Sequence, residues 1–266
     1  MIKDVQIAVL IPYYNAPKEL YQSINSIKEN VKVDLVIIDD GSSLTFNELD
    51  VKNIYSHGAI HIIRLKENSG IGVALNTGIE FAINHNYEYI GRLDCGDLCR
   101  ELRFSIQIEY LEEKKDVALI GTWANVVDEN GRHLYLLKHP TNYNQIKKKM
   151  FLNNTFVHPS VVFRTEVIDN VGQYPYKYRF ASQDYAFFFN VIKEFKAENL
   201  PLALLDYVIS DNSISTRKRK LQVKNRINII LDNFYFGFYP IYGLARNLIL
   251  YFIPRSLATF IKKYVL

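Results

Sequence analysis

The chain opens on a near-continuous apolar run, Val5 to Ile11, of the kind a central parallel strand needs when both its faces are covered. Pro17 then opens a helix with Leu20, Ile24 and Ile27 on one face. Leu35 to Ile38 reads as a second strand and ends in Asp39-Asp40-Gly41-Ser42-Ser43; His61 to Leu65 reads as a third. Asn68-Ser69-Gly70-Ile71-Gly72 leads into a helix whose face carries Ala74, Ile79, Ala82 and Ile83. A fourth strand, from Tyr89, ends in Leu93-Asp94-Cys95-Gly96-Asp97. The helix after Arg100 presents Leu102, Ile106, Tyr110 and Leu111. Strand and helix alternate with short polar joints, which predicts an α/β protein with a mostly parallel, doubly wound sheet.

After Val117 the rhythm changes. Ala118 to Val127, the turn Asp128-Glu129-Asn130-Gly131 and Leu134 to Leu137 predict a hairpin. A basic helix follows near Lys147 to Met150. Thr155 to Phe163 reads as a strand interrupted by His158-Pro159-Ser160. A helix is expected from Ser182, with Gln183 and Asp184 in its first turn and Phe187, Phe188, Val191, Ile192 and Phe195 on its core face. The pattern divides the chain into residues 1–212, with halves at 1–115 and 116–212, and a C-terminal helical extension over 213–266. No internal repeat or low-complexity segment is present.

Composition sharpens the picture at the tail. The 266 residues carry a net charge of +4, yet residues 217–266 hold ten Lys/Arg and one Asp, a net +9 against −5 for the rest. Basic Arg217-Lys218-Arg219-Lys220, Lys224 and Arg226 precede Phe234, Tyr235, Phe236, Phe238, Tyr239, Tyr242, Tyr251, Phe252, Phe260 and Tyr264. The longest uncharged stretch of the tail, Asn233 to Ala245, is 13 residues, whereas a bilayer span needs about 20. Basic, aromatic helices suit interfacial attachment to an anionic membrane surface; the other reading is an extension packed on the main domain or on a second subunit. Met1-Ile2-Lys3-Asp4 has no signal-peptide architecture. Cys95 and Cys99 are four apart, a spacing that suits one helical turn, but no further Cys/His cluster completes a zinc site. Two cysteines fit a reducing compartment.

Candidate chemistry gathers where the strands end. Ligands of open α/β sheets bind beyond the carboxyl ends of the strands, and here those ends offer Tyr14-Asn15, Asp39-Asp40, Asn68 to Gly72, and Asp94 to Asp97. A carboxylate pair such as Asp94 and Asp97 either holds a hard cation or accepts from sugar hydroxyls; alternatively Asp97 is the N-cap of the next helix. No G-x-G-x-x-G follows the first strand and no Walker lysine loop is present, which disfavours a dinucleotide enzyme. An aromatic after the first strand and an acid after the second fit a nucleotide held without a glycine-rich cradle. No motif points to nucleic acid as a partner.

Six segments, IAVLIPYYN, VIIDDGSS, NSGIGVALNTGI, YIGRLDCGD, NTFVHPSVVFR and SQDYAFFF, lie in the order and spacing of the family 2 glycosyltransferases, and over residues 4 to 210 the chain resembles that family. The resemblance implies the GT-A fold and an inverting transfer of a sugar from a nucleoside-diphosphate sugar, UDP- or dTDP-linked, to an acceptor hydroxyl. It implies donor contacts from Pro12, Tyr14, Asn15, Asp39, Asn68, Gly70, Arg92 and Asp94, with Tyr14 on the base and Asp39 at its edge. Asp184 matches the catalytic carboxylate. Asp94, Asp97 and His158 are the expected ligands of a manganese or magnesium ion beside the diphosphate.

Two departures stand out. Gly96 replaces the family's central acid, and Gln183 replaces the glutamate before Asp184. They motivate the rival expectation of a catalytically impaired nucleotide-sugar-binding or partner-binding module. The reading that follows from the resemblance is an enzyme of bacterial cell-surface polysaccharide synthesis, peripheral on the inner face of the cytoplasmic membrane, with a lipid-linked saccharide acceptor. Since the matched motifs all precede Ser210, removal of residues 217–266 is expected to spare donor chemistry.

Overall fold

A computed structural model describes residues 6–209 and 219–253. The first half alternates as the pattern demands: β1 (Ile7–Tyr13), α1 (Pro17–Ser26), β2 (Val33–Asp39), α2 (Glu48–Ile54), β3 (Ile60–Arg64), α3 (Ile71–Asn84), β4 (Tyr89–Arg92), the two-residue β5 (Leu98–Cys99) and α4 (Arg103–Glu113). The second half runs β6 (Val117–Val127), β7 (His133–Leu137), α5 (Tyr143–Lys149), β8 (Val162–Arg164), α6 (Val167–Val171), α7 (Gln183–Glu194) and β9 (Lys196–Val208), then α8 (Arg219–Asp232) and α9 (Phe238–Phe252).

The described strands form one sheet in the order β3-β2-β1-β4-β8-β6-β9-β5, with β7 alongside β6. β1 pairs in parallel with β2 and β4, and β2 with β3, so the left half is the predicted parallel sheet. The right half is mixed. β8 lies antiparallel between β4 and β6, β7 and β5 are antiparallel edges, and only β6 and β9 pair in parallel. The reason is local. The polar joint 128–132 closes a hairpin, and β8 is entered from a 3-10 turn, His158–Ser160, rather than from a crossover helix. Thr155 to Val157 is accordingly not strand, and Pro159 sits in the turn without an N–H to give a ladder.

Alternate residues of β1 and β2 serve opposite faces. Ala8, Leu10, Val36 and Ile38 pack with α3 and α7, while Ile7, Val9, Ile11, Leu35 and Ile37 pack with α1 and α4. Gly78 lets α3 approach: a Cβ there would lie 2.9 Å from both Ile38 Cδ1 and Leu10 Cδ2.

The extension is part of this core over its described residues. Ile229 and Ile230 of α8 join the α3/α7 side, with Ile230 fully buried. Asn225 donates to Ala181 O at 2.8 Å, and Arg246 of α9 donates to Leu152 O at 2.7 Å. Gly243 sits so close to Phe151 that a Cβ would be 2.2 Å from its carbonyl oxygen. α8 and the inner face of α9 are therefore packed on the main domain. The outer face is apolar and exposed, with Phe252 78% and Phe238 73% accessible, and Phe236, in the joint before α9, is 94% accessible. Arg217, Lys218, Phe260 and Tyr264, like Met1 to Val5, lie outside the described residues. No helix of the described residues is long and apolar enough to cross a membrane.

Candidate active site

The carboxyl ends of β1, β2 and β4 open into a cleft of about 720 Å³ whose walls include Pro12, Tyr14, Asp40, Asn68, Gly70, Arg92, Asp94, His158 and Asp184. A smaller cavity of about 400 Å³, at Tyr87, Arg164 and Asp169, lies at the opposite end of β4 and holds none of the predicted residues. The position of the larger cleft is the one an α/β sheet provides for a ligand.

On the β1–β2 side, Tyr14 is half exposed at the rim. Asn15, at a positive φ of 52°, ties the two loops together: its N donates to Ser42 Oγ at 3.0 Å, and its Oδ1 accepts from Leu44 N at 2.8 Å. Asn15 is thus a brace of the rim rather than part of the wall. Asp39 is also turned away from the wall. Its Oδ1 accepts from Ser42 N at 2.9 Å and its Oδ2 lies 3.8 Å from Arg64. Its neighbour Asp40 lines the cleft, accepting from Ser69 N at 2.8 Å and Gly70 N at 2.9 Å. That pair of bonds fixes the start of α3 against β2. Burial raises the Asp40 carboxyl above its ordinary value, opposed by those two N–H groups.

At the end of β4, Arg92 is 1% exposed and donates to Asp94 Oδ1 from Nε at 3.0 Å and from Nη2 at 2.6 Å. Its Nη1 is buried with no partner. Arg103 Nη2 holds the strand end in place through Arg92 O and Pro159 O, both at 2.7 Å. Asp97 points elsewhere. It is 4% exposed, its Oδ1 accepts from Val208 N at 2.9 Å, and its Oδ2 has no partner. Burial, then Asp94, push its carboxyl well above the usual range. It is not an N-cap: β5 intervenes before α4, whose first N–H groups, Phe104 and Ser105, go to Glu29 at 2.8 and 2.9 Å. Cys95 and Cys99 lie in the loop and in β5, not on a helical turn, and burial pushes both thiols up.

His158 stands in the cleft wall with Nε2 2.9 Å from Tyr174 OH. Burial, and then Arg92, hold its pKa well below the ordinary value, so the ring is neutral. Its Nε2 is committed to Tyr174, Asp97 to a backbone N–H, and Asp94 Oδ1 to Arg92. The expected metal set of Asp94, Asp97 and His158 is therefore not assembled, and among the described residues no group of three or more His, Cys, Asp or Glu is arranged to hold a metal ion.

Asp184 lies across the cleft, in the first turn of α7, where the helix dipole favours a carboxylate. Asn154 Nδ2 donates to its Oδ2 at 2.9 Å. Tyr207 links the two sides: burial first, then the charges of Asp97, Asp94 and Asp184, raise its hydroxyl above the ordinary value. Asn154, Arg179, Tyr207 and Gln222 are site residues the sequence reading missed. Gln222 comes from α8, and its backbone oxygen accepts from Ser182 Oγ at 3.4 Å. Asn154 opens the segment NTFVHPSVVFR, so a motif contained it without giving it a role; Arg179, Tyr207 and Gln222 lie in no motif and reach the cleft through packing.

The glycosyl transferase family 2 model matches residues 8–172. An amylovoran biosynthesis glycosyltransferase, AmsE, of Erwinia amylovora is 27% identical over 84% of this chain and 83% of that protein. The Escherichia coli UDP-Gal:alpha-D-GlcNAc-diphosphoundecaprenol beta-1,3-galactosyltransferase is 24% identical over 97% of this chain and 94% of its own length. Among solved structures, S. aureus TarS 1-349 in complex with UDP-GlcNAc aligns with a TM-score of 0.69 at 17% identity, over 92% of this chain and 72% of that one. The mannosyltransferase PcManGT from Pyrobaculum calidifontis in complex with GDP-Man and Mn2+ aligns at 0.62 and 14% identity, over 91% and 68%. The fold is thus the GT-A fold, and the chain belongs to glycosyl transferase family 2.

Proposed function

We propose that this glycosyltransferase takes a sugar from a nucleoside-diphosphate sugar and places it, with inversion, on a hydroxyl of a saccharide acceptor during synthesis of a cell-surface polysaccharide. The observation that carries the reading is the single carboxylate of Asp184, held by Asn154 across a cleft from the β1, β2 and β4 ends. Inversion needs the acceptor oxygen to attack C1 from the face opposite the leaving group. Asp184 takes the acceptor proton as that bond forms, the task of a general base. Tyr14 offers a ring face to the base, and Asn68 and Gly70 line the donor side. The names of the E. coli and Erwinia relatives support a lipid-linked acceptor and a polysaccharide product.

The reading includes a membrane surface as the place of work. Phe236, Phe238 and Phe252 form an exposed aromatic face, and α5, which brings Lys147, Lys148 and Lys149 to the surface, leads into Phe151 and Leu152 against α9. Aromatic rings beside lysines suit the headgroup region of an anionic leaflet. Of the expected cation ligands, Asp94 Oδ1, Asp97 Oδ1 and His158 Nε2 are each engaged within the protein.

A thermal-shift panel of nucleoside diphosphates and their sugars tests the donor assignment, since a ligand of the folded state raises the melting temperature. The matching sugar nucleotide, supplied with a lipid-linked saccharide, is then expected to give product of opposite anomeric configuration. Retention of configuration, or no response to any nucleotide, defeats the reading.

A further inference from the structure

A nucleoside diphosphate leaving a sugar gains negative charge, and the site must meet it with a cation, a metal or oriented N–H groups. This inference rests on the nucleotide-sugar reading above. The acidic loop is poorly disposed to hold a metal there. Asp94 Oδ1 carries both Arg92 bonds, Asp97 is turned to Val208 N, and Gly96 takes a φ of +106°, a conformation an L side chain adopts only with strain. A Cβ at Gly96 would face Glu19, 3.9 Å from its Cβ, and the positive φ shapes the loop for glycine at this position.

Positive charge is supplied instead by arginine. Two guanidinium groups line the cleft, those of Arg92 and Arg179. Arg92 Nη1 is a buried N–H without an acceptor, a cost the fold carries until an acceptor arrives. Arg179 lies on the turn before α7 with its backbone against the start of α3: its Cα would be 3.7 Å from a Cβ at Gly72. Its guanidinium is stacked over Tyr176 at 3.9 Å and Phe180 at 4.3 Å, and its hydrogen bond to Tyr176 O is long, 3.3 Å. Gly70 and Ile71, at the N-terminus of the 14-residue α3, line the same cleft, but the Asp40 carboxylate already accepts from Ser69 N and Gly70 N, so that helix end is occupied by an anion of the protein itself.

We propose that Arg179, with Arg92 Nη1, binds the donor diphosphate and neutralises the leaving group without a divalent cation. The C1–oxygen bond to the β-phosphate breaks and its electron pair stays on the phosphate oxygen. The acceptor oxygen bonds to C1 and its proton passes to Asp184. The charge that appears on the diphosphate falls to the two guanidinium groups, whose fork matches phosphate oxygens.

The test is calorimetric binding of UDP, GDP and dTDP, and of the matching nucleosides, in EDTA and in manganese. The diphosphate that binds should do so in EDTA to within about fivefold of its affinity in manganese. Arg179→Gln, folded by circular dichroism, should weaken it by about tenfold or more and leave nucleoside binding unchanged; Arg179→Lys should recover part of the loss. A manganese effect above about fivefold overturns the proposal, and so does indifference to Arg179→Gln. If no diphosphate binds in either buffer, the nucleotide-sugar reading itself fails, which separates the two outcomes.

Discussion

Asn154 donates to Asp184 Oδ2 at 2.9 Å, from a loop that enters the 3-10 turn rather than from the helix that carries the carboxylate. The bond orients one oxygen; in the proposed function the other faces the acceptor. Asp184→Asn is expected to keep nucleotide affinity while cutting transfer by about 10² or more, the usual scale for a lost general base. Asn154→Ala should lower kcat less, by about tenfold, with the donor KM nearly unchanged. Steady-state kinetics with donor and acceptor varied separately decide this; transfer by Asp184→Asn within a few-fold of the parent would remove Asp184 from its role.

The extension supplies Ile229 and Ile230 to the core and Gln222 to the cleft. A chain ending before Arg219 is therefore expected to be insoluble or to lose cooperative unfolding, not to retain donor chemistry. The membrane reading is tested on the surface instead. Phe236→Ser with Phe238→Ser should leave the melting temperature within a degree or two, as exposed positions do, and should abolish sedimentation with anionic vesicles at low salt. Unaltered sedimentation would assign the aromatic face to something other than lipid.

His139 lines the cleft, and burial alone lowers its pKa from 6.5 to about 4. The unfolded chain thus takes up the proton first. The stability this histidine preserves is whole above pH 6.5 and is lost as pH falls from 6.5 towards 4, with a slope approaching about 1.4 kcal/mol per pH unit. Asp97, raised, acts in the opposite sense, so a comparison of two proteins is needed to cancel it. Urea midpoints of wild type and His139→Gln between pH 7.5 and 4.5 should diverge, the variant having the shallower slope. Parallel curves would mean that the ring is not held neutral.

Glu29 is 75 and 76 positions from Phe104 and Ser105 and caps their helix with both carboxylate oxygens, also accepting from Ser105 Oγ at 2.6 Å. Leu102, at a φ of +60°, opens α4 with no side-chain cap of its own. Glu29→Ala should cost about 2 kcal/mol or more, a lost cap whose bonds involve a charged group. Chemical denaturation measures it; a loss under about 0.5 kcal/mol would show that water replaces the carboxylate.

What the sequence alone determined is what local pattern encodes. Continuous apolar runs require strands with two covered faces, and Ile7 to Tyr13 and Val33 to Asp39 are such strands. The joints that follow them place Tyr14, Asp40, Gly70 and Asp94 at one edge, and six short motifs in order identify the family. Tertiary structure decided whatever depends on pairing across long separations. β8 inserts between β4 and β6 although its three residues carry no pairing signal. Asp97 and Asp94 are three apart in sequence, yet one meets the backbone N–H of Val208, 111 positions away, and the other meets Arg92. Arg179 and Gln222 reach the cleft from a turn and the extension, and Asn154 reaches Asp184 from a loop. Side-chain direction at a strand end is set by the partner that satisfies it in the low dielectric of the interior, and that partner is supplied by the fold.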